Sequence, residues 1–407
     1  MQTTALRLYG ADDIRLEHFE LPEISDHEIL IEVVSDAICA STYKAVRQGV
    51  NHKRVPPDIA KKPVIVGHEL CGKILQIGTS VTGWKVGQKV VLQPALKQKS
   101  GYDPGYSFQY IGGNTQYAIV PEIVLDRGCL LPYEGEGYFA GSLAESLGCC
   151  IRGFKGLYHT DYTNYVRTDG PKKGGRMAIL GGAGPMGIGC AEIAKSMGVS
   201  QIVITDIDPE RLAAARKACP YVEYVNTGKM EDPVQYLRDL SEGGFDDVLV
   251  MVPVSGLLSM AEQICCEDGC INFFAGPADH GLQGNINLYR IHYEGIHLVG
   301  TAGSIPVDMS DILTMTAQKE INPAVMVSHI LGMPAIASTL MEMGQPNGAK
   351  KICYNHLDLP LIPIAELSRR GKTDPLCAAL AEIVDRNGGL WCAEAEDYLL
   401  KNAPRIK

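Results

Sequence analysis

The run Ile179-Leu180-Gly181-Gly182-Ala183-Gly184-Pro185-Met186-Gly187 constrains this chain more than any other stretch. It holds G-x-G-x-x-G at Gly182, Gly184 and Gly187, with an apolar segment before it (177–180) and a helix-forming one after it (185–197). The first glycine permits a tight turn after a strand. The second lets a pyrophosphate approach the backbone, and the third lets helix and strand pack closely. The helix start adds unpaired N–H groups that face phosphate oxygens. Glycine-rich turns are common in a chain with 44 glycines, and the plain alternative is a structural turn. The strand before and the helix after favour a dinucleotide site built on Gly182, Gly184, Pro185, Met186 and Gly187.

An acidic residue at the end of the next strand (202–205) completes such a site by binding the adenosine ribose. Asp206 and Asp208 compete. Asp208 precedes Pro209, the N-cap and first-turn signature of a helix over 209–218, which leaves Asp206 for the ribose. A carboxylate there repels a 2′-phosphate and favours NAD(H). Arg211 keeps NADP(H) open, since a nearby cation accommodates that phosphate; its plainer reading is a solvated helix arginine. Strand and helix continue to alternate at 246–252, 257–266, 270–275 and 297–301, the pattern of a doubly wound α/β parallel sheet, the Rossmann arrangement. Val252, Gly276 and Thr301, at the ends of later strands, are expected to line the nicotinamide side, because ligands lie beyond the carboxyl ends of such sheets.

The first 120 residues read differently. Short alternating segments at 4–9, 14–19, 28–34, 63–66, 72–77, 88–93 and 115–120, punctuated by Gly and Pro, predict a small irregular β-barrel. The stretch 322–354 returns to mixed character, and two helices follow at 374–385 and 392–401. The expected division is a β-rich catalytic domain over 1–150, a nucleotide-binding domain over 151–320, and a return to the first domain with a C-terminal extension over 321–407. A length of 407 residues accommodates this. The net charge of −10 argues against a nucleic-acid-coating surface. No run approaches the roughly 18 apolar residues of a membrane span, and the N-terminus lacks a secretory pattern. Thirteen scattered cysteines read as buried thiols in a reducing cytoplasm rather than a disulfide framework. Cys149-Cys150 and Cys265-Cys266-x-x-x-Cys270 take the same bland reading.

The β-rich half carries Cys39, His68 followed by Glu69, and Glu145. A thiolate, an imidazole and a carboxylate suit a catalytic zinc that keeps a position open for water or substrate. Spacing does not reveal this, and each residue has a plainer reading: a buried thiol, a core histidine, a solvated carboxylate.

Four motifs stand together in order: Cys39-x-Ser41, Gly67-His68-Glu69-x-x-Gly72, Gly112-Gly113-x-x-x-Tyr117 and Gly182-x-Gly184-Pro185-Met186-Gly187. Over residues 1–354 the chain resembles the zinc-dependent medium-chain dehydrogenases, near their alcohol and sorbitol dehydrogenases. The opening segment 1–10, Asn272-Phe273-Phe274-Ala275-Gly276-Pro277 and the closing segment 395–400 narrow the resemblance to a bacterial sugar-phosphate reductase branch. The resemblance implies a GroES-like β-barrel beside the Rossmann sheet and one catalytic zinc on Cys39, His68 and Glu145. Glu69 then stands behind these ligands or serves as a transient one, and Ser41 hydrogen-bonds the substrate oxygen and begins a proton relay. It also implies a dimer or tetramer. Hydride passes between NAD(H) and a carbonyl whose oxygen the zinc polarises. Three departures stand out. Thr42 replaces an aspartate that orients the ligand histidine, so that partner is expected from elsewhere. Lys44 replaces a histidine that ends the relay. No cysteine lies between Cys71 and Cys129, so the usual structural zinc is not expected.

From residue 44 to 62 the cations are Lys44, Arg47, Lys53, Arg54, Lys61 and Lys62 against Asp58 alone. Cations recognise phosphate by charge-assisted hydrogen bonds. Lys44, with Arg47 or Lys53, is therefore a candidate clamp for a ketose phosphate, though Lys44 reads equally as relay or spectator and most of the rest as a solvated loop. The expected activity is reduction of a ketose phosphate to a polyol phosphate. The alternatives are an unphosphorylated polyol or alcohol dehydrogenase and a non-catalytic NAD(P)H-binding redox sensor.

Overall fold

Apolar runs such as Val203-Ile204 and Val248-Leu249-Val250 have no polar face to turn to water, so a sheet built from them is covered on both sides. A computed structural model, describing residues 1–161, 163–344 and 349–406, shows that sheet. It belongs to a unit made of Leu147–Ser304 and Gln318–Met326. Its six strands lie in the order Glu223–Asn226, Gln201–Asp206, Arg176–Leu180, Phe245–Val250, Cys265–Phe273, His297–Gly300, and all neighbours are parallel. Numbered along the chain this is 3-2-1-4-5-6, the dinucleotide-binding order. Ala178, Leu180, Val203, Val248, Val250 and Ile271 fill its core.

Helix Pro185–Ser196 starts on proline, with Gly184 as N-cap. Helix Pro209–Ala218 is capped by Asp208, whose Oδ1 accepts from the N–H groups of Glu210 (2.9 Å) and Arg211 (3.2 Å). Two boundaries differ from the sequence expectation. Helix Ser255–Ile264 stops before the cysteines, and strand Cys265–Phe273 begins at once. Cys265 and Cys270 are buried in it, small apolar side chains that suit a covered strand.

The other unit comprises Met1–Ser146, Ile305–Ala317 and the chain from Val327. Residues 305–317, placed with the nucleotide half by the sequence pattern, pack here. One sheet runs Ile362–Pro363, Val327–Gly332, Lys350–Tyr354, Ile29–Ala37, Leu70–Ile77, Lys89–Leu92, Leu130–Pro132, with Tyr117–Val120 also on Ile29–Ala37. A second joins Asp13–Glu20, Gln2–Gly10 and Val64–Ile65. The C-terminal helices Pro375–Arg386 and Ala393–Asn402 dock on this unit. Trp391 is fully buried and donates to the Tyr354 hydroxyl at 2.8 Å. Glu396 accepts from that hydroxyl (2.9 Å), from Phe139 N–H (2.8 Å) and from Tyr138 N–H, capping helix Tyr138–Ser142. All thirteen cysteines are free thiols. Among the described residues no helix is long and apolar enough to cross a membrane.

Candidate active site

Cys39 is the N-cap of helix Ala40–Gln48, in extended conformation, so Ser41 and Thr42 fall in the first turn beside it. His68 and Glu69 lie between strands Val64–Ile65 and Leu70–Ile77, after a turn at Gly67 that needs φ +88°. A buried aspartate pins this turn. Asp36 Oδ1 accepts from Glu69 N–H (3.0 Å), and Oδ2 accepts from the Asn114 amide (2.7 Å). A Cβ on Gly113 would stand 1.8 Å from Asp36 Oδ1. The Gly112-Gly113 motif therefore makes room for the carboxylate that holds Glu69 in place.

The result is a cluster. One ligand atom each from Cys39, His68 and Glu69 all lie within 4.8 Å of one another. Cys39 Sγ is 3.0 Å from Ser41 Oγ, and His68 Nε2 is 3.2 Å from the same oxygen. Thr42 Oγ1 contacts His68 Nδ1 at 3.2 Å. This corrects the expectation that an orienting partner must come from elsewhere: threonine reaches the ring where an aspartate was missed, and leaves Nε2 facing the cluster. Burial pushes the His68 imidazole down to about 4 and the Cys39 thiol up to about 12. The ring is thus held neutral, the ligand form, and a bound cation would ionise the thiol. Sulfur, nitrogen and oxygen donors converging with water largely excluded fit a zinc ion.

Glu69 is not a free ligand. Both carboxylate oxygens lie on Lys350 Nζ (2.5 and 2.6 Å), and Ser146 Oγ donates to one at 2.8 Å. Burial opposes the lysine's charge, but Glu69 and Cys39 hold its pKa above the usual lysine range. Glu145 is half-buried in the first turn of helix Ala144–Lys155. It lies close enough to bias Cys39, Tyr106 and Lys350 electrostatically but is not one of the three clustered donors.

Lys350 and Tyr106 escaped the sequence reading. Tyr106 is buried, donates to Ser41 Oγ at 2.8 Å and packs its ring 4.9 Å from that of His68. Burial raises its pKa well above the phenol range, so it remains a donor. The available signal for Lys350 was a lysine heading the apolar strand Lys350–Tyr354, which demands a buried carboxylate. Lys44 lies on the exposed side of its helix, and among the described residues no hydrogen bond joins it to Ser41. Arg47 is paired with Asp12 at 2.8 Å.

In the other unit the glycine turn divides by cause. A Cβ on Gly187 would stand 2.1 Å from the Gly182 carbonyl oxygen, and one on Gly182 would meet Ile179 at 2.5 Å. Around Gly184 a Cβ would meet nothing within 4 Å. Packing thus demands Gly182 and Gly187, and the open space at Gly184 fits a bound pyrophosphate. Pro185 and Met186 open the helix. Asp206 ends strand Gln201–Asp206; its Oδ2 accepts from Ala183 N–H (3.3 Å) and its Oδ1 from Ile207 N–H (2.8 Å). Arg211 faces Asp208 at 3.6 Å. Val252, Gly276 and Thr301 lie just past the carboxyl ends of strands Phe245–Val250, Cys265–Phe273 and His297–Gly300; Thr301 Oγ1 is 3.3 Å from the Asn272 amide.

A dinucleotide turn on a 3-2-1-4-5-6 sheet and a buried Cys–His–Glu cluster on a separate β-rich unit define a metal-dependent dehydrogenase. Residues 25–127 match the alcohol dehydrogenase GroES-like domain and residues 185–318 the zinc-binding dehydrogenase domain; the chain belongs to the zinc-dependent medium-chain dehydrogenase family. It is 42% identical to mannitol-1-phosphate 5-dehydrogenase of Aliivibrio fischeri, over 98% of each chain. It is 40% identical to L-sorbose 1-phosphate reductase of Klebsiella pneumoniae, over 99% of this chain and 98% of the relative. The fold is that of 2R,3R-butanediol dehydrogenase from Bacillus subtilis, with a TM-score of 0.73 at 20% identity over 87% of this chain and 99% of that one.

Proposed function

We propose that this protein is an NAD(H)-linked oxidoreductase of polyol phosphates, interconverting a hexitol phosphate and a ketose phosphate, with reduction of L-sorbose 1-phosphate to D-glucitol 6-phosphate as the particular reaction. The observation that carries this reading is the full-length likeness to two relatives whose names both specify a 1-phosphate. Cys39 and His68 hold the zinc, with Glu145 or Glu69 completing the donor set. When bound, zinc supplies Lewis-acid polarisation of the substrate oxygen, and the nicotinamide carries the hydride.

The chain's own residues handle the proton. Tyr106 donates to Ser41 Oγ, which leaves the serine hydrogen free to be exchanged with the substrate oxygen as its charge changes. Thr42 fixes the His68 ring. Lys350 neutralises Glu69, so a buried carboxylate stands beside the ligands without adding an unpaired charge. On the cofactor side, Asp206 takes the ribose hydroxyls and favours NAD(H), the Gly182–Gly187 turn takes the pyrophosphate, and Val252, Gly276 and Thr301 border the nicotinamide.

The test is an assay of NAD reduction with D-mannitol 1-phosphate and D-glucitol 6-phosphate, and of NADH oxidation with L-sorbose 1-phosphate, each beside its unphosphorylated counterpart. The reading expects kcat/KM at least about 100-fold higher with the phosphate, the roughly 3 kcal/mol of two charge-assisted hydrogen bonds. Equal values for phosphorylated and free polyols would overturn it.

A further inference from the structure

A cavity of about 320 Å³ in the β-rich unit is lined by Lys53, Arg54, Lys97, Gln98, Lys99 and Ser100, with Asp103 at its wall. Four cations against one carboxylate leave +3 in a chain that is −10 overall. We propose that this cavity binds the phosphate group of the substrate, with Arg54 as the link to the redox centre. The proposal rests on the polyol-phosphate reading above and gives it a location.

Asp103 does not neutralise the cavity. Its side chain is nearly buried; one oxygen accepts from Leu96 N–H at 2.9 Å, and the other braces Arg54 Nε at 3.1 Å. Lys53 and Lys97 act on Asp103 only at longer range, since its one salt bridge among the described residues is to Arg54, and Lys99 is exposed beside them. Like charges gathered without counterions repel, and an anion relieves that repulsion. The loop is also built to hold its shape. Ser107 Oγ donates to the Arg54 carbonyl at 2.5 Å, and Arg54 N–H donates to His52 Nδ1 at 3.3 Å. Lys97 has φ +53°, a left-handed conformation that costs a non-glycine residue roughly 1 kcal/mol.

Arg54 connects this cavity to the chemistry. Its Cζ lies 4.9 Å from the centre of the Tyr106 ring, and the Tyr106 hydroxyl donates to Ser41 Oγ at 2.8 Å. Two contacts thus separate the phosphate cradle from the oxygen that exchanges the proton. Of the cations that sequence grouped between residues 44 and 62, Lys53 and Arg54 line the cavity, whereas Lys44 does not, Arg47 is tied to Asp12 and Lys62 to Asp58.

The test pairs Lys97→Ala/Lys99→Ala with Lys97→Arg/Lys99→Arg in the zinc-loaded enzyme. The alanine pair is expected to raise KM for D-mannitol 1-phosphate at least about tenfold, with kcat within about twofold, since each lost charge-assisted bond weakens binding alone. The KM for D-mannitol stays unchanged, and the arginine pair restores binding. Inorganic phosphate is expected to inhibit the parent enzyme competitively, and the alanine pair at least about tenfold more weakly. An enzyme that prefers the phosphorylated substrate but is indifferent to the alanine pair overturns the cavity and spares the function. An enzyme with no such preference overturns the function, and the cavity's substrate with it.

Discussion

The two sites of this protein are built in opposite ways. The dinucleotide turn is one contiguous segment, residues 179–187, whose geometry is enforced by its own glycines and the strand and helix on either side. The proposed metal cluster draws on four distant segments, around residues 36–42, 67–69, 106 and 350, that meet only after the β-rich unit has folded. A contiguous site is stabilised locally; a dispersed one depends on buried polar pins. The pins here are Asp36, Asn114 and Lys350, all of which act on Glu69 directly or through Asp36.

Removing the strongest pin gives the largest expected effect on stability. Lys350 and Glu69 form an ion pair whose side chains are 6% and 0% exposed. Losing one partner leaves a buried charge, so Lys350→Ala is expected to cost about 3–5 kcal/mol in urea unfolding. The paired replacement Lys350→Met/Glu69→Gln recovers much of that. A Lys350→Ala protein as stable as the parent would break the claim that the dispersed site is held by this pair.

The contiguous site offers a sharper contrast within itself. Gly187→Ala drives a Cβ to 2.1 Å from the Gly182 carbonyl and is expected to cost about 1–3 kcal/mol as overpacking. Gly184→Val has open space to enter and an N-cap φ of −86° that valine tolerates, so it costs below about 1 kcal/mol. It is nevertheless expected to weaken NADH binding at least about tenfold, measured by nicotinamide fluorescence, by filling the space of the pyrophosphate. Equal thermal shifts for the two variants would erase the distinction between packing glycine and ligand glycine.

A further effect, seen only as pH changes, concerns the C-terminal extension. Burial raises the Glu396 carboxyl to about 7, opposed by the Tyr354 hydroxyl and the Tyr138 and Phe139 N–H groups, while Asp397 adds to the rise. A carboxyl raised in the folded state contributes stability that is full below the ordinary value of 4.5 and is lost as pH climbs through 7. From pH 5 to 8 the parent should therefore lose on the order of a few kcal/mol that Glu396→Gln does not. Parallel pH profiles of the urea midpoint for the two proteins would contradict this.

Legibility in the sequence follows the same division. Asp208 was separable from Asp206 because the Asp-Pro signature is local, and the sheet emerged from alternation alone. Thr42, Tyr106 and Lys350 were not legible as partners of His68, Ser41 and Glu69, because nothing in sequence marks contacts spanning 26, 65 and 281 positions. Cys39 and His68 stood out only through the family resemblance. Asp36 had left a trace: an aspartate inside the apolar strand Ile29–Ala37 needs a buried donor, and Glu69 N–H and Asn114 supply it.

The most direct measurement is zinc content and activity together on Cys39→Ser and His68→Ala. The parent is expected to carry one zinc per chain and to oxidise D-mannitol 1-phosphate with NAD. Each variant is expected to lose the metal and at least about 1000-fold in kcat/KM, in line with losing Lewis-acid stabilisation worth several kcal/mol. NADH affinity should stay intact. Full activity in either variant, or in metal-free parent protein, would contradict a catalytic centre held by Cys39 and His68.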